Sequence, residues 1–124
     1  MRVIDSSVWI EILADGPCAG RLLEDVPAPQ EIAMPSIIEL ELAKWIAREA
    51  DSATLRKFLA FSSQCISAPL DTKRALMAAE VHRDLKLATA DAIVYAAALE
   101  FEAELVTCDR HFESLPQVLY IPNK

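Results

Sequence analysis

The stretch Thr89 to Asp109, TADAIVYAAALEFEAELVTCD, decides how the chain folds. Its first part is dense in alanine (Ala90, Ala92, Ala96, Ala97 and Ala98), which favours helix intrinsically and lets a helix lie close against a sheet. The spacing predicts a helix from Thr89 to Glu100. Glu104-Leu105-Val106-Thr107 is a short apolar run of the kind a buried strand makes, and it leads into Cys108-Asp109. A helix followed by a buried strand that ends on an acid is one unit of an α/β repeat. Asp91 stands in the first turn of that helix and Asp109 just beyond the strand.

The N-terminus shows the same pattern. Arg2-Val3-Ile4 reads as a buried strand ending at Asp5-Ser6-Ser7, and a helix follows from Ser7 to Leu13 until Asp15-Gly16-Pro17 breaks it. A short helix is expected over Ala19 to Glu24. Glu31 to Met34 should be extended, because Pro35 biases Met34 away from helix. Ser36 is expected to cap a helix over Ile37 to Arg48, with Glu39 at capping-box spacing. Its apolar residues, Ile37, Ile38, Leu40, Leu42, Trp45 and Ile46, cover more than one face. Further helices are expected over Ser52 to Phe61 and Asp71 to Leu85, with strands at Cys65 to Ser67 and Val118 to Ile121. Strands separated by helices predict a parallel sheet with right-handed crossovers, in one α/β domain spanning 1–124.

Composition agrees. A chain of 124 residues has the size of one domain, and 53% hydrophobic with 25% charged residues is globular. No run of ~18 apolar residues is present to span a membrane. Asp5 and Glu11 interrupt the N-terminal apolar stretch and no small-residue cleavage site follows, so no signal peptide is read there. The expectation is a soluble, cytoplasmic protein. Cys18, Cys65 and Cys108 are odd in number and show no CxxC spacing, which fits thiols of a reducing compartment better than a zinc knuckle or a disulfide framework. The only glycines, Gly16 and Gly20, leave no Gly-rich phosphate loop and no GxGxxG fingerprint. The net charge of −7 argues at face value against a nucleic-acid binder. Acids that hold a cation invert the local potential, however, and an acidic protein also suits a basic partner.

Ligands of an open parallel sheet bind outside the carboxyl ends of its strands. Asp5 and Asp109 each follow a strand, and Glu39 and Asp91 each sit in the first turn of a helix. Where those helices start on the same side of the sheet, four carboxylates converge. Crowded carboxylates repel and raise one another's pKa unless a cation lies between them. Hard oxygen ligands suit Mg²⁺ or Mn²⁺, and the chemistry that follows is metal-assisted phosphodiester hydrolysis.

Each acid also has a structural reading. Glu39 completes a capping box, Asp91 complements the helix dipole, and Asp109 initiates a turn before His111-Phe112. Asp5 is hardest to explain that way, since a carboxylate closing a buried strand needs a partner. Ser6 or Ser7 can hydrogen-bond Asp5, and Thr107 can serve Asp109 in the same way. His82 and His111 lie in no ligand motif, and Ser6 and Ser7 in no nucleophile elbow. Lys44, Arg48, Lys73, Arg74, Arg83, Lys86 and Arg110 are the cations available to phosphates, although most such charges are simply solvated.

With these segments in place, the sequence resembles the PIN domain family, and within it the VapC-type toxins of type II toxin–antitoxin pairs. Val3-Ile4-Asp5-Ser6-Ser7-Val8-Trp9-Ile10 resembles the family's opening strand, acid and small polar residues. Pro35-Ser36-Ile37-Ile38-Glu39-Leu40 resembles its second motif and puts the acid at Glu39. Leu87-Ala88-Thr89-Ala90-Asp91-Ala92-Ile93-Val94-Tyr95 is the most specific match and puts the third acid at Asp91. Leu105-Val106-Thr107-Cys108-Asp109-Arg110-His111-Phe112 resembles the closing motif.

The resemblance implies a three-layer αβα sandwich around a central parallel sheet, and an endoribonuclease that depends on Mg²⁺ or Mn²⁺. It implies catalytic acids Asp5, Glu39, Asp91 and Asp109. Asp5 and Asp91 would be direct metal ligands, Asp109 a ligand or an acid behind them, and Glu39 a base or the holder of a water. Ser7 and Thr107 would support the acids. An RNA substrate, a homodimer and a VapB-like antitoxin lying in an apolar groove are implied as well. The rival reading keeps the scaffold without catalysis, as a regulatory module that docks a basic partner through its acidic cleft. Receiver and haloacid-dehalogenase patterns fit poorly: the latter wants a second acid where Ser7 stands, and the former wants a pair where Asp5 stands alone.

Overall fold

Strand β1 (Arg2–Ile4) is the strand on which the sheet is assembled in the computed structural model, which describes residues 1–123. It pairs in parallel with β4 (Glu104–Thr107), and β4 pairs in parallel with β5 (Val118–Tyr120). On the other side of β1, a single parallel bridge from Arg2 to Ile32 ties in the parallel pair β2 (Ala33–Pro35) and β3 (Ile66–Ala68). The strands therefore run in the order β3-β2-β1-β4-β5, all parallel.

Helices α1 (Ser6–Leu13) and α2 (Ala19–Leu23) follow β1, and α3 (Ser36–Glu49) and α4 (Ser52–Ser62) follow β2. The long connection from β3 to β4 carries α5 (Thr72–Leu85) and α6 (Thr89–Glu100). Val3 and Ile4 are at most 1% exposed, and Leu105 and Val106 are 0% exposed. Successive strand residues face opposite sides, so neighbours that are both buried require both faces of the sheet to be covered. The result is the expected three-layer α/β sandwich. Helix α6 packs across β1, β2 and β4 with α5 beside it, while α1 packs on β4, α2 and α3. The alanines of α6 permit this close approach: Ala92, Ala96, Ala97 and Ala98 are all buried.

Two local expectations are corrected. Ser36 does not cap α3. Strand β2 keeps its ladder through Pro35, which pairs with Ala68, so Ser36 already lies in the first turn and no residue is left free to cap it. The Ser36 hydroxyl instead accepts the Leu70 N–H at 3.2 Å. Side-chain caps do occur at α4 and α5, where Asp51 and Asp71 accept the N–H groups of Thr54 and Arg74 at 2.8 and 2.9 Å. Arg74, counted among cations available to phosphates, is buried. Its guanidinium is bonded to the Pro69 carbonyl and to Glu100, and it lies over the Phe101 ring. It joins α5 to α6. Among the described residues, no helix is long and apolar enough to cross a membrane.

Candidate metal centre

The order of the strands reverses between β1 and β4, and a crevice opens outside their carboxyl ends at such a switch point. Asp5 is the first residue past β1, and its N–H donates to the Val106 carbonyl of β4 at 2.9 Å. Its carboxylate is buried. Ser7 Oγ and Thr107 Oγ1 donate to the same oxygen, Asp5 Oδ2, at 2.7 and 2.8 Å. Each hydroxyl also accepts a backbone N–H, from Cys108 at 3.0 Å and Asp109 at 2.9 Å respectively. Those N–H groups occupy lone pairs and aim the hydroxyl protons at Asp5, so the rotors are fixed from both ends. Oδ1 receives no hydrogen bond among the described residues. Thr107 thus serves Asp5 across the sheet as well as its own neighbour Asp109.

Asp91 lies in the first turn of α6, half-buried, as read from the sequence. Asp109 follows β4 and opens a 3-10 turn over Arg110–Phe112, with Oδ1 accepting the His111 N–H at 2.9 Å. The turn-initiating role and the position at the crevice hold together. Burial pushes the Asp5 pKa up, the Ser7 and Thr107 hydroxyls pull it back, and the charges of Asp91 and Asp109 push it further. Asp91 is raised first by burial and then by Asp109, against the pull of His111. The three aspartates therefore share one electrostatic space.

Glu39 does not enter that space. Its Oε2 accepts the Ser62 hydroxyl, at the end of α4, at 2.6 Å, and its charge acts on Cys65. The acid that does enter is Glu41, whose Oε1 accepts the Ser6 hydroxyl at 3.1 Å. Burial raises the Glu41 pKa most. Ser6 lowers it, Asp5 and Asp91 raise it again, and Lys44 lowers it slightly. The reason is helical phase. Ile38, Leu42 and Ile46 form the buried face of α3, and residues two apart are turned by about 200°. Glu39 and Glu41 so fall on opposite flanks, one toward α4 and one toward α1. First-turn position and the resemblance of Pro35-Ser36-Ile37-Ile38-Glu39-Leu40 to the family's second motif point to Glu39; the same sequence offers Glu41 two positions on.

His111 is a second residue whose place the sequence understated. Its Nδ1 lies 3.2 Å from Asp109 Oδ1 and 3.4 Å from Asp91 Oδ2, on the exposed rim. Asp91, Asp109 and His111 offer ligand-capable atoms within 4.8 Å of one another. The only sequence signal was its position two residues past Asp109. The donor set as a whole, with carboxylate oxygens dominant and one half-exposed side, matches what Mg²⁺ or Mn²⁺ takes.

Known proteins agree with this architecture. The PIN domain family model matches residues 2–118. No curated protein sequence matches the chain. Among solved structures, a toxin–antitoxin complex from Klebsiella pneumoniae is similar, with a TM-score of 0.82, 22% identity, and 98% of each chain covered. FitAcB from Neisseria gonorrhoeae matches with a TM-score of 0.76 and 20% identity, again over 98% of each chain. Mycobacterium tuberculosis VapC20, described as a sarcin-ricin loop cleaving toxin, matches with a TM-score of 0.74 and 16% identity over 98% of each chain. At these identities the likeness speaks for the fold, and the family model, which spans nearly the whole sequence, speaks for descent: the chain belongs to the PIN domain family.

Proposed function

We propose that this protein is a metal-dependent endoribonuclease and the toxin of a toxin–antitoxin pair. The observation that carries the reading is the convergence of Asp5, Asp91 and Asp109 with Glu41 at the switch point, where each of the raised carboxyls feels the charge of another. Support among relatives comes from a solved structure of the same fold described as a sarcin-ricin loop cleaving toxin, beside others solved as toxin–antitoxin complexes.

In this reading Asp5, Asp91 and Asp109 hold Mg²⁺ or Mn²⁺, with Asp5 offering the Oδ1 that its two hydroxyl partners leave free. The bound ion supplies a Lewis acid that acidifies water and screens the charge of a phosphodiester. Glu41 replaces Glu39 in the catalytic set. Ser6 occupies its Oε1, so Oε2 is the atom offered to take a proton from the attacking water, and a raised pKa suits it to that task. Ser7 and Thr107 keep the Asp5 carboxylate in one orientation, as hydrogen-bonded supports of metal ligands do.

An antitoxin-class partner has a suitable surface in the groove of ~400 Å³ between α1 and α4. Trp9, Ile12, Leu13, Phe58 and Phe61 line it, and the Trp9 ring meets both phenylalanines edge-on. A homodimer and a cytoplasmic location belong to the same proposal.

Purified protein incubated with Mn²⁺ and structured RNA is expected to cut it, while Asp5→Asn, folded by circular dichroism, leaves the RNA intact. Equal cleavage by the two would overturn the proposal, and so would no cleavage by either. The second outcome would favour the regulatory-module reading.

A further inference from the structure

A hollow of ~480 Å³ lies directly against Asp109. Cys108, Asp109, Arg110, Tyr120, Pro122 and Asn123 line it. That volume is within the range of small-ligand sites, roughly 300–1,000 Å³. Tyr120 ends β5 and is paired in register with Thr107, the residue whose hydroxyl holds Asp5. Cross-strand partners in register share a face of the sheet, so Tyr120 stands one strand spacing, about 4.8 Å, from the support of the metal centre. It is only half-buried, and its phenol hydroxyl makes no hydrogen bond among the described residues. Tyr95, by contrast, is fully buried and gives its hydroxyl to the Pro116 carbonyl at 2.8 Å.

Arg110 adds the second component. In a chain of net charge −7 it is an exposed cation with no ion pair among the described residues, one position from Asp109. Arg2, Arg48, Arg74 and Arg83 are each engaged with a carboxylate. Arg21 on α2 and Arg56 on α4 have no ion pair among the described residues either, but Arg110 is the arginine that lines the hollow. A tyrosine, an arginine without an ion pair and an asparagine therefore line one hollow beside the proposed cutting site. Single-stranded RNA is read by this combination: bases stack on aromatic rings, guanidinium groups meet phosphates, and amides bond base edges.

Building on the nuclease reading, we propose that this hollow is the subsite for the nucleotide flanking the scissile phosphate. The base stacks on Tyr120, and Arg110 takes the adjoining phosphate. The subsite places part of the chain's grip on a single strand on β5 and on the turn after β4, apart from the acids that cut.

The test uses the full chain carrying Asp5→Asn, so that binding is read without cleavage, with fluorescent single-stranded RNA of about ten nucleotides at fixed salt. Tyr120→Ala in that background is expected to weaken binding about tenfold, and Tyr120→Phe to stay within about twofold. Arg110→Gln is expected to lower the slope of log affinity against log salt by about one. In the cleavage-competent protein, Tyr120→Ala should raise KM while leaving kcat within about threefold. An abasic nucleotide beside the cut bond should erase the difference between Tyr120→Ala and its parent. If Tyr120→Ala and Arg110→Gln bind RNA as their parent does while the wild type still cuts, the subsite is wrong and the nuclease reading stands. If the wild type cuts no RNA with Mn²⁺, the nuclease reading falls and takes the subsite with it.

Discussion

Glu39 and Glu41 sit two residues apart on α3 and have opposite fates. Glu39 satisfies Ser62, a buried hydroxyl at the end of α4 that would otherwise lack a partner, and so ties two helices together. Glu41 is bonded by Ser6 at the start of α1 and feels the charges of Asp5 and Asp91. Both are half-buried glutamates of one helix with a serine partner, so neither residue type nor burial distinguishes them. The difference is which neighbouring helix each flank meets. A carboxylate at the switch point shares the charges of the aspartates and, under the proposed function, is placed to act on a substrate, whereas the same group turned through half a circle serves packing.

The sharpest way to break this comparison is to neutralise each glutamate in turn. Glu41→Gln is expected to lower RNA cleavage by about 10²-fold or more, the range of a lost general base. Glu39→Gln should stay within about threefold in cleavage while costing on the order of 1 kcal/mol in urea denaturation, because its bond to Ser62 loses a charged acceptor. The reverse ranking in a cleavage assay would return the catalytic role to Glu39.

A smaller effect sharpens the same contrast in the metal-free protein. Asp5, Asp91 and Glu41 have pKa values raised in the fold, mainly by burial. The native state therefore binds more protons than the unfolded chain above the unfolded carboxylate pKa of about 4. Their contribution to stability is present below that value and is lost as pH rises through the raised native values. Metal-free Asp5→Asn should thus lose stability less steeply than the wild type as pH rises from about 4 to about 7, and saturating Mn²⁺ should flatten the wild-type profile. Thermal unfolding across that range reads both. Parallel wild-type and Asp5→Asn profiles would show that the buried carboxylate carries no such strain.

Much of this architecture is legible in the sequence. Arg2-Val3-Ile4 and Glu104-Leu105-Val106-Thr107 announce themselves as buried strands because both faces of the sheet are covered, so no polar alternation interrupts them. The alanines of α6 are legible from composition, and the places of Asp5, Asp91 and Asp109 from their positions at the end of a strand or in the first turn of a helix, while their grouping as one set rests on that shared placement and on the motif resemblance. Helical phase was not legible in the same way. The register of α3 relative to α1 and α4 is a tertiary fact, so the first-turn position that singles out Glu39 cannot tell its flank from that of Glu41, and Pro35, by remaining in the β2 ladder, leaves the expected cap by Ser36 unformed. Long-range pairings were hidden for the same reason: Thr107 and Asp5 are 102 positions apart, and Ser62 and Glu39 are 23 apart on different helices. Arg74 looked like any surface cation until α5 met α6.

The central claim is that these acids form a divalent-metal site, and equilibrium Mn²⁺ binding tests it most directly. Calorimetric titration of the wild type should give a saturable isotherm that Asp5→Asn abolishes or weakens at least ~10-fold, with the fold of both proteins unchanged by circular dichroism. Indistinguishable isotherms for the two proteins, or no binding by the wild type, would contradict the account.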